Sequence, residues 1–213
     1  MEDFNLDSFD FFVFDDVSQE TINELDIHAV CFESKKKERV MLDMHNGFRQ
    51  LRYMLRVFDP KKSYRFISGG KGFSSINFID WVNEKCGHID ELYCSTLRVG
   101  KKHIRHLAEL NIDYAFFVFN GLFGEKKENS NYDYFDVFEE ICSQKGWEYC
   151  ETKNHSKIIL MRSGERYFVL ETSSNLNENP KIEQFAFEED KGLFDWYLEF
   201  FESLKKVAKN EHS

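Results

Sequence analysis

Gly146 separates two hydrophobic rhythms in this chain. Before it, short β-prone runs alternate with segments of helical periodicity; after it, strand-like runs follow one another directly. Ile27–Phe32, Tyr64–Ser68, a stretch around Leu92–Cys94 and Tyr114–Phe119 read as strands. Between them the spacing predicts helices over about 74–84, Gly100–Leu110 and Tyr132–Lys145. Met41–Phe58 also reads as a helix, because Met44, Phe48, Leu51, Met54, Leu55 and Phe58 recur at 3.6-residue intervals and Asp59-Pro60 stops them. Trp147–Cys150, His155–Met161 and Arg166–Glu171 then follow as three successive strands, the last two joined at Ser163-Gly164. A strand over Ile182–Phe187 and an amphipathic helix from Lys191 to Lys209 complete the pattern. Alternating and then bunched strands imply an α/β fold, a mixed β-sheet flanked by helices. No repeat or linker interrupts residues 27–209, which are expected to form one domain behind an arm of residues 1–26, with Gly121–Asn131 as a surface loop.

Charge divides the chain in a second way. The formal charge is −10, which taken alone argues against a polyanionic partner. Yet residues 1–26 hold six Asp and three Glu with no Lys or Arg. Lys35–Lys71 contains eleven basic residues against Glu38, Asp43 and Asp59, and Arg98, Lys101, Lys102 and Arg105 form an acid-free cluster. Screening confines charge effects to about 10 Å at ordinary salt, so a polyanion responds to such local patches rather than to the total. The arm alternates acids with aromatics from Asp3 to Asp16. It reads either as a strand or extension that packs its Phe residues and aids solubility, or as a segment lying over a basic groove in competition with substrate.

No stretch approaches the roughly 20 apolar residues of a membrane span. The opening Met1-Glu2-Asp3-Phe4 is acidic where a secretory signal is basic. Five cysteines give neither a disulfide framework nor a CxxC pair, and Cys86, Cys94, Cys142 and Cys150 read as small apolar residues. A reduced, cytoplasmic protein is the expectation, and no cofactor is called for.

The chemistry gathers in His155-Ser156-Lys157. In an extended strand, residues two apart project from one face, so His155 and Lys157 are expected to point together. The following hairpin returns Ser173-Ser174-Asn175 towards the same end. Imidazole, ammonium, hydroxyl and amide groups converging on one point suit a phosphoryl group: lysine neutralises oxygens, Ser and Asn donate hydrogen bonds, and histidine attacks phosphorus or protonates a leaving oxygen.

His155-x-Lys157, Ser173-x-Asn175 and Glu183 after Asn179-Pro180-Lys181-Ile182 also resemble the HxK…SxN…E signature of the phospholipase D superfamily. The resemblance extends over about residues 60 to 200, and most closely to small phage and mobile-element members with a single motif. It implies a phospholipase D-like αβα sandwich and a homodimer that shares one site between two chains. One His155 would form a phosphohistidine while its counterpart serves as general acid and then base. Lys157, Ser173 and Asn175 would bind phosphate, and Glu183 would orient a histidine. A nucleic-acid phosphodiester, DNA ahead of RNA, would be the substrate and no metal would be needed. Two positions depart from the pattern: Arg162 stands where the family commonly has Asp, and Thr172 where it has Gly. They leave open an alternative, a catalytically silent module that binds nucleic acid or a protein; a lipid or cyclic-nucleotide phosphodiesterase is a third reading.

Gly69-Gly70-Lys71-Gly72 lacks P-loop spacing and reads as a glycine turn, with Lys71 within reach of a nucleic-acid backbone. His103 and His106, three apart beside Lys101, Lys102 and Arg105, lack a third metal ligand and read as part of a basic, phosphate-contacting helix face. Trp196, Tyr197, Phe200 and Phe201 serve either the core or a dimer face.

Overall fold

In a computed structural model, residues 38–44, 47–68, 74–120, 133–177 and 182–211 are described. The acidic arm, the expected strand Ile27–Phe32, Lys71 and the loop Gly121–Asn131 lie outside them. Among the described residues the strands are β1 (Glu38–Met44), β2 (Lys62–Ser68), β3 (Ile89–Ser95), β4 (Ile112–Asn120), β5 (Glu148–Thr152), β6 (Ile158–Ser163), β7 (Arg166–Thr172) and β8 (Glu183–Glu189). The helices are α1 (Gly47–Met54, extended by a 3-10 turn to Val57), α2 (Ile76–Cys86), α3 (Lys101–Glu109), α4 (Asp133–Lys145) and α5 (Lys191–Glu211).

The strands form one mixed sheet in the order β1-β2-β8-β7-β6-β3-β4-β5. β3, β4 and β5 run parallel, as do β1 and β2, whereas β6 and β8 run antiparallel to their neighbours on both sides. Strand alternation gives the sheet two apolar faces. Phe66, Leu92, Phe117, Ile159, Met161, Phe168, Leu170 and Phe187 join the main core with Leu51 and Leu55, and with residues of α2, α3 and α4. Tyr93 and Phe116 project to the opposite face, where their rings lie 5.6 and 6.4 Å from that of Phe201 on α5. The expected mixed sheet flanked by helices is therefore present.

Glycine marks two of the reversals. Gly87, at φ 79°, ends α2 in the left-handed conformation, with its N–H on Asn83 O at 2.7 Å. Gly164, at φ 55°, turns β6 back as β7 in register Ser163↔Arg166.

Residues 41–44 correct the expected helix over Met41–Phe58. They belong to β1, which pairs in parallel with β2 from Glu38↔Lys62 to Met44↔Ser68, and the helix begins at Gly47. Backbone pairing along a sheet edge here overrides a local helical rhythm. Aromatic residues fill much of the core: Phe187 is fully buried, stacks on Phe168 at 5.8 Å and meets Trp81 edge-on at 5.7 Å. Cys94, Cys142 and Cys150 are buried, and burial pushes the Cys142 thiol up to about 12.

At the amino ends of β3 and β4, His88 Nε2 lies 3.1 Å from Asp90 and 2.9 Å from Asp113, the one cluster of three possible metal ligands among the described residues. Desolvation lowers the His88 pKa, but hydrogen bonds to Asn111 and Asp113 and the charges of Asp113 and Asp90 outweigh it, so the net shift is upward from 6.5.

Two expectations follow. Phe187→Ala lowers the unfolding free energy by about 3–5 kcal/mol, read from urea denaturation, through lost burial and the cavity left behind. A raised folded pKa gives His88 a contribution that is complete below its unfolded value and lost as pH rises through the folded one. His88→Ala is therefore more destabilising at about pH 5.5 than at about pH 9; an equal cost at both refutes the linkage.

Candidate active site

The carboxyl ends of β2, β3, β4 and β7 and the amino ends of β6 and β8 meet at one end of the sheet. Ile158 pairs with Glu171, and Thr172 N donates to Lys157 O at 3.1 Å, which brings the Lys157 backbone beside the end of β7. Ser173 N in turn donates to Gln184 O at 3.1 Å, which joins the turn after β7 to β8. Thr172, which stands where the resembled motif has Gly, supports this turn. Its hydroxyl donates to Gln184 O at 2.9 Å and accepts from Ser174 N at 2.9 Å.

β6 begins at Ile158, so His155 and Lys157 precede it rather than lie within it. They meet all the same: Lys157 Nζ lies 3.2 Å from His155 Nδ1 and 2.6 Å from His155 O. An ammonium only donates, so His155 Nδ1 is the acceptor in this contact. His155 is exposed and Lys157 half-buried. Desolvation lowers the Lys157 pKa from its ordinary 10.5, against the opposing charge of Glu183.

Glu183 is buried, with 6% exposure, and accepts a short hydrogen bond from the Ser173 hydroxyl. Ser173 Oγ also accepts from Gln184 N at 3.0 Å, and Glu183 N donates to Ser68 Oγ at 3.2 Å. Asn175 Oδ1 accepts from Leu97 N at 3.3 Å, which orients its amide group for donation. Behind the turn, Leu176 N donates to Thr96 Oγ1 at 3.0 Å, and Gly100 N to Leu176 O at 2.8 Å. The loop from Leu97 to Lys101 is thereby laid along the Asn175 turn.

This brings part of the basic cluster to the site. Arg98 is exposed on that loop, and Lys101 and Lys102 open α3 immediately after it. Arg105 is exposed one turn further along. The two histidines of α3 correct the expected basic face. His103 is buried, and His106 Nε2 bonds Asp80 Oδ1 on α2 at 2.6 Å. Phe201 is core, whereas Tyr197, half-buried, donates a short hydrogen bond to Glu171, and burial together with that bond raises its pKa.

Arg162 lies at the other end of β6, five residues and about 16 Å along the strand from Lys157. Its guanidinium donates to Asp90 Oδ2 at 3.1 Å and lies 3.0 Å from Glu91 Oε1. The position at which the chain departs from the resembled motif therefore lies away from His155 and Lys157.

The sequence pattern does not reveal Asn154. It is buried, and its Nδ2 lies 2.9 Å from Ser95 Oγ, 3.1 Å from Thr96 O and 3.1 Å from Val118 O. Its Oδ1 accepts from Ser156 N at 3.0 Å and Ser156 Oγ at 2.7 Å. Its place directly before the histidine was the one available signal.

No family model and no curated protein matches the chain. Among solved structures it is similar to yeast tyrosyl-DNA phosphodiesterase, at 11% identity and a TM-score of 0.32, over 46% of this chain and 25% of that one. It is also similar to polyphosphate kinase from Porphyromonas gingivalis, at 15% identity and a TM-score of 0.49, over 72% of this chain and 28% of that one. This chain thus matches less than a third of either protein's length.

A tetrahedral oxyanion is the expected ligand of Lys157 and Asn175. Tungstate affinity, measured by titration calorimetry, should fall as pH rises through the lowered Lys157 pKa. Lys157→Met should weaken binding by about tenfold or more, the size of one charge-assisted hydrogen bond, and should flatten that pH dependence.

Proposed function

We propose that this protein is a phospholipase D-like phosphodiesterase that cleaves nucleic-acid phosphodiesters, DNA ahead of RNA, at a site shared between two copies of the chain. The observation that carries the reading is the meeting of His155, Lys157, Asn175 and the Ser173–Glu183 pair at one end of the sheet. A phosphate diester entering there draws Lys157 onto its non-bridging oxygens and so releases Nδ1 of His155. The freed imidazole attacks phosphorus, an N–P bond forms, and the bond to the leaving oxygen breaks. Lys157 and the Asn175 amide stabilise the charge that builds on the phosphoryl oxygens. Ser173 and Glu183 hold the turn, with the buried carboxylate balancing the Lys157 charge and orienting the facing histidine.

The leaving oxygen needs a proton, and the described residues of a single chain offer little to supply it. Among the described residues, His103 is buried, His106 is held by Asp80 and His88 lies at the far end of the sheet. The second copy's His155 therefore serves as the acid, and afterwards as the base that activates water against the phosphohistidine. Histidine supplies the nucleophile and lysine the charge, so the donor set itself accounts for both roles usually given to a metal. Arg98, Lys101, Lys102 and Arg105 provide for neighbouring backbone phosphates. The silent-module reading drew on Arg162 and on the acidic arm of residues 1–26; the distance of Arg162 from Lys157 weakens the first of these grounds.

The test is cleavage of labelled single- and double-stranded DNA and RNA in EDTA by the wild type beside His155→Ala, with the mass in solution measured in parallel. Cleavage that persists in EDTA, vanishes in the variant and belongs to a species of twice the monomer mass is the expected result. A strict monomer that still cleaves would remove the shared site, and binding without cleavage would favour the silent module.

A further inference from the structure

We infer that Asn154 is the positioning residue of His155: its buried carboxamide, gripped by groups at the ends of β3 and β4, fixes the turn that presents the imidazole. The inference rests on the reading of His155 as the reacting group. Its ground is the path of the chain. β5 is the edge strand and β6 lies three places inward, so residues 153–157 must cross the carboxyl ends of β4 and β3. A segment making such a crossing has no strand ladder of its own until Lys157 O meets Thr172 N.

The Asn154 side chain supplies what the ladder does not. Its amide group donates towards Val118 O on β4, and towards Thr96 O and Ser95 Oγ at the end of β3. Its oxygen accepts Ser156 N, which closes an Asx turn around His155, and accepts the Ser156 hydroxyl as well. Ser95 Oγ and Ser156 Oγ are themselves in short contact, so the ring of partners is closed. Backbone carbonyls only accept and a backbone N–H only donates, so this environment permits one orientation of the amide. Asn154 is 8% exposed, and water offers no substitute for those bonds. His155 is thus an exposed side chain on a backbone fixed from both sides. In-line attack tolerates little displacement of the nucleophile, and misplacement by about 1 Å can cost about 100-fold in rate.

Asn154→Asp separates positioning from shape. It keeps the oxygen that closes the turn but sets a second oxygen against two carbonyls. Ser95→Ala is the milder variant, removing one of the three acceptors. Both would be compared with the wild type by kcat and KM for DNA cleavage in EDTA, and by NMR of the His155 ring. For Asn154→Asp the expectation is a kcat lowered by about 100-fold with KM within about threefold, and a single His155 signal that becomes broadened or multiple. Ser95→Ala should fall between it and the wild type. A kcat within about threefold of wild type, or an unchanged His155 signal, in a folded Asn154→Asp protein would overturn the inference. If Asn154→Asp does not fold, Ser95→Ala decides by the same two readouts. Absence of cleavage by the wild type would defeat the functional reading, while the His155 signal would still decide whether Asn154 positions the ring.

Discussion

The site depends on the antiparallel pairing of β6 with β3. On one side of that seam, β2, β8, β7 and β6 form an antiparallel run; on the other, β3, β4 and β5 form a parallel one. Among the described strands, the ladder from Ser95↔Ile158 to Glu91↔Arg162 joins the two runs, and the bridge Val99↔Leu176 reinforces it beyond the strand ends. His155 and Lys157 lie just before the first rung of this seam, and Leu97, which orients Asn175, lies two residues past it on the β3 side. The seam therefore sets the separation of His155 and Lys157 from Asn175.

Polar groups at this end of the sheet differ in burial, with Lys157 and Asn175 intermediate. Asn154, Thr96, Ser95, Ser68 and Glu183 are buried and bonded to backbone or to one another, whereas His155 and Ser173 are exposed. A buried polar group is tolerated when its partners are in place, and the same partners fix its geometry. The arrangement sets the exposed His155 and Ser173 on a base of buried groups whose hydrogen bonds are made.

Much of this was legible in the sequence. The change of rhythm at Gly146 foretold the β5–β8 block, and the spacings of His155, Lys157, Ser173, Asn175 and Glu183 selected residues that the fold brings to the same end. Three features were not legible, each because its cause is distant in the chain. β1 carries a helical rhythm in its sequence, and only its pairing with β2, more than twenty residues on, makes it a strand. Asn154 finds its acceptors 36 to 59 residues away. His106 is hydrogen-bonded to Asp80, 26 residues back, rather than part of a basic surface. Periodicity describes a residue's immediate neighbours and carries no record of these partners.

Arg162 gives the seam a further property. Side chains alternate along a strand, so β6 can slide past β3 without turning its faces only in two-residue steps of about 7 Å. One such step would carry Arg162 away from Asp90 and Glu91 at one end and strip Asn154 of Thr96 and Val118 at the other. The strand is clamped at both ends, by ions at one and by an amide at the other. An acid at position 162 would place three carboxylates side by side and open the ionic clamp. The basic residue at 162 and the acids at 90 and 91 thus form a single charge arrangement, and through it a contact at one end of β6 helps to keep the His155–Lys157 end in register.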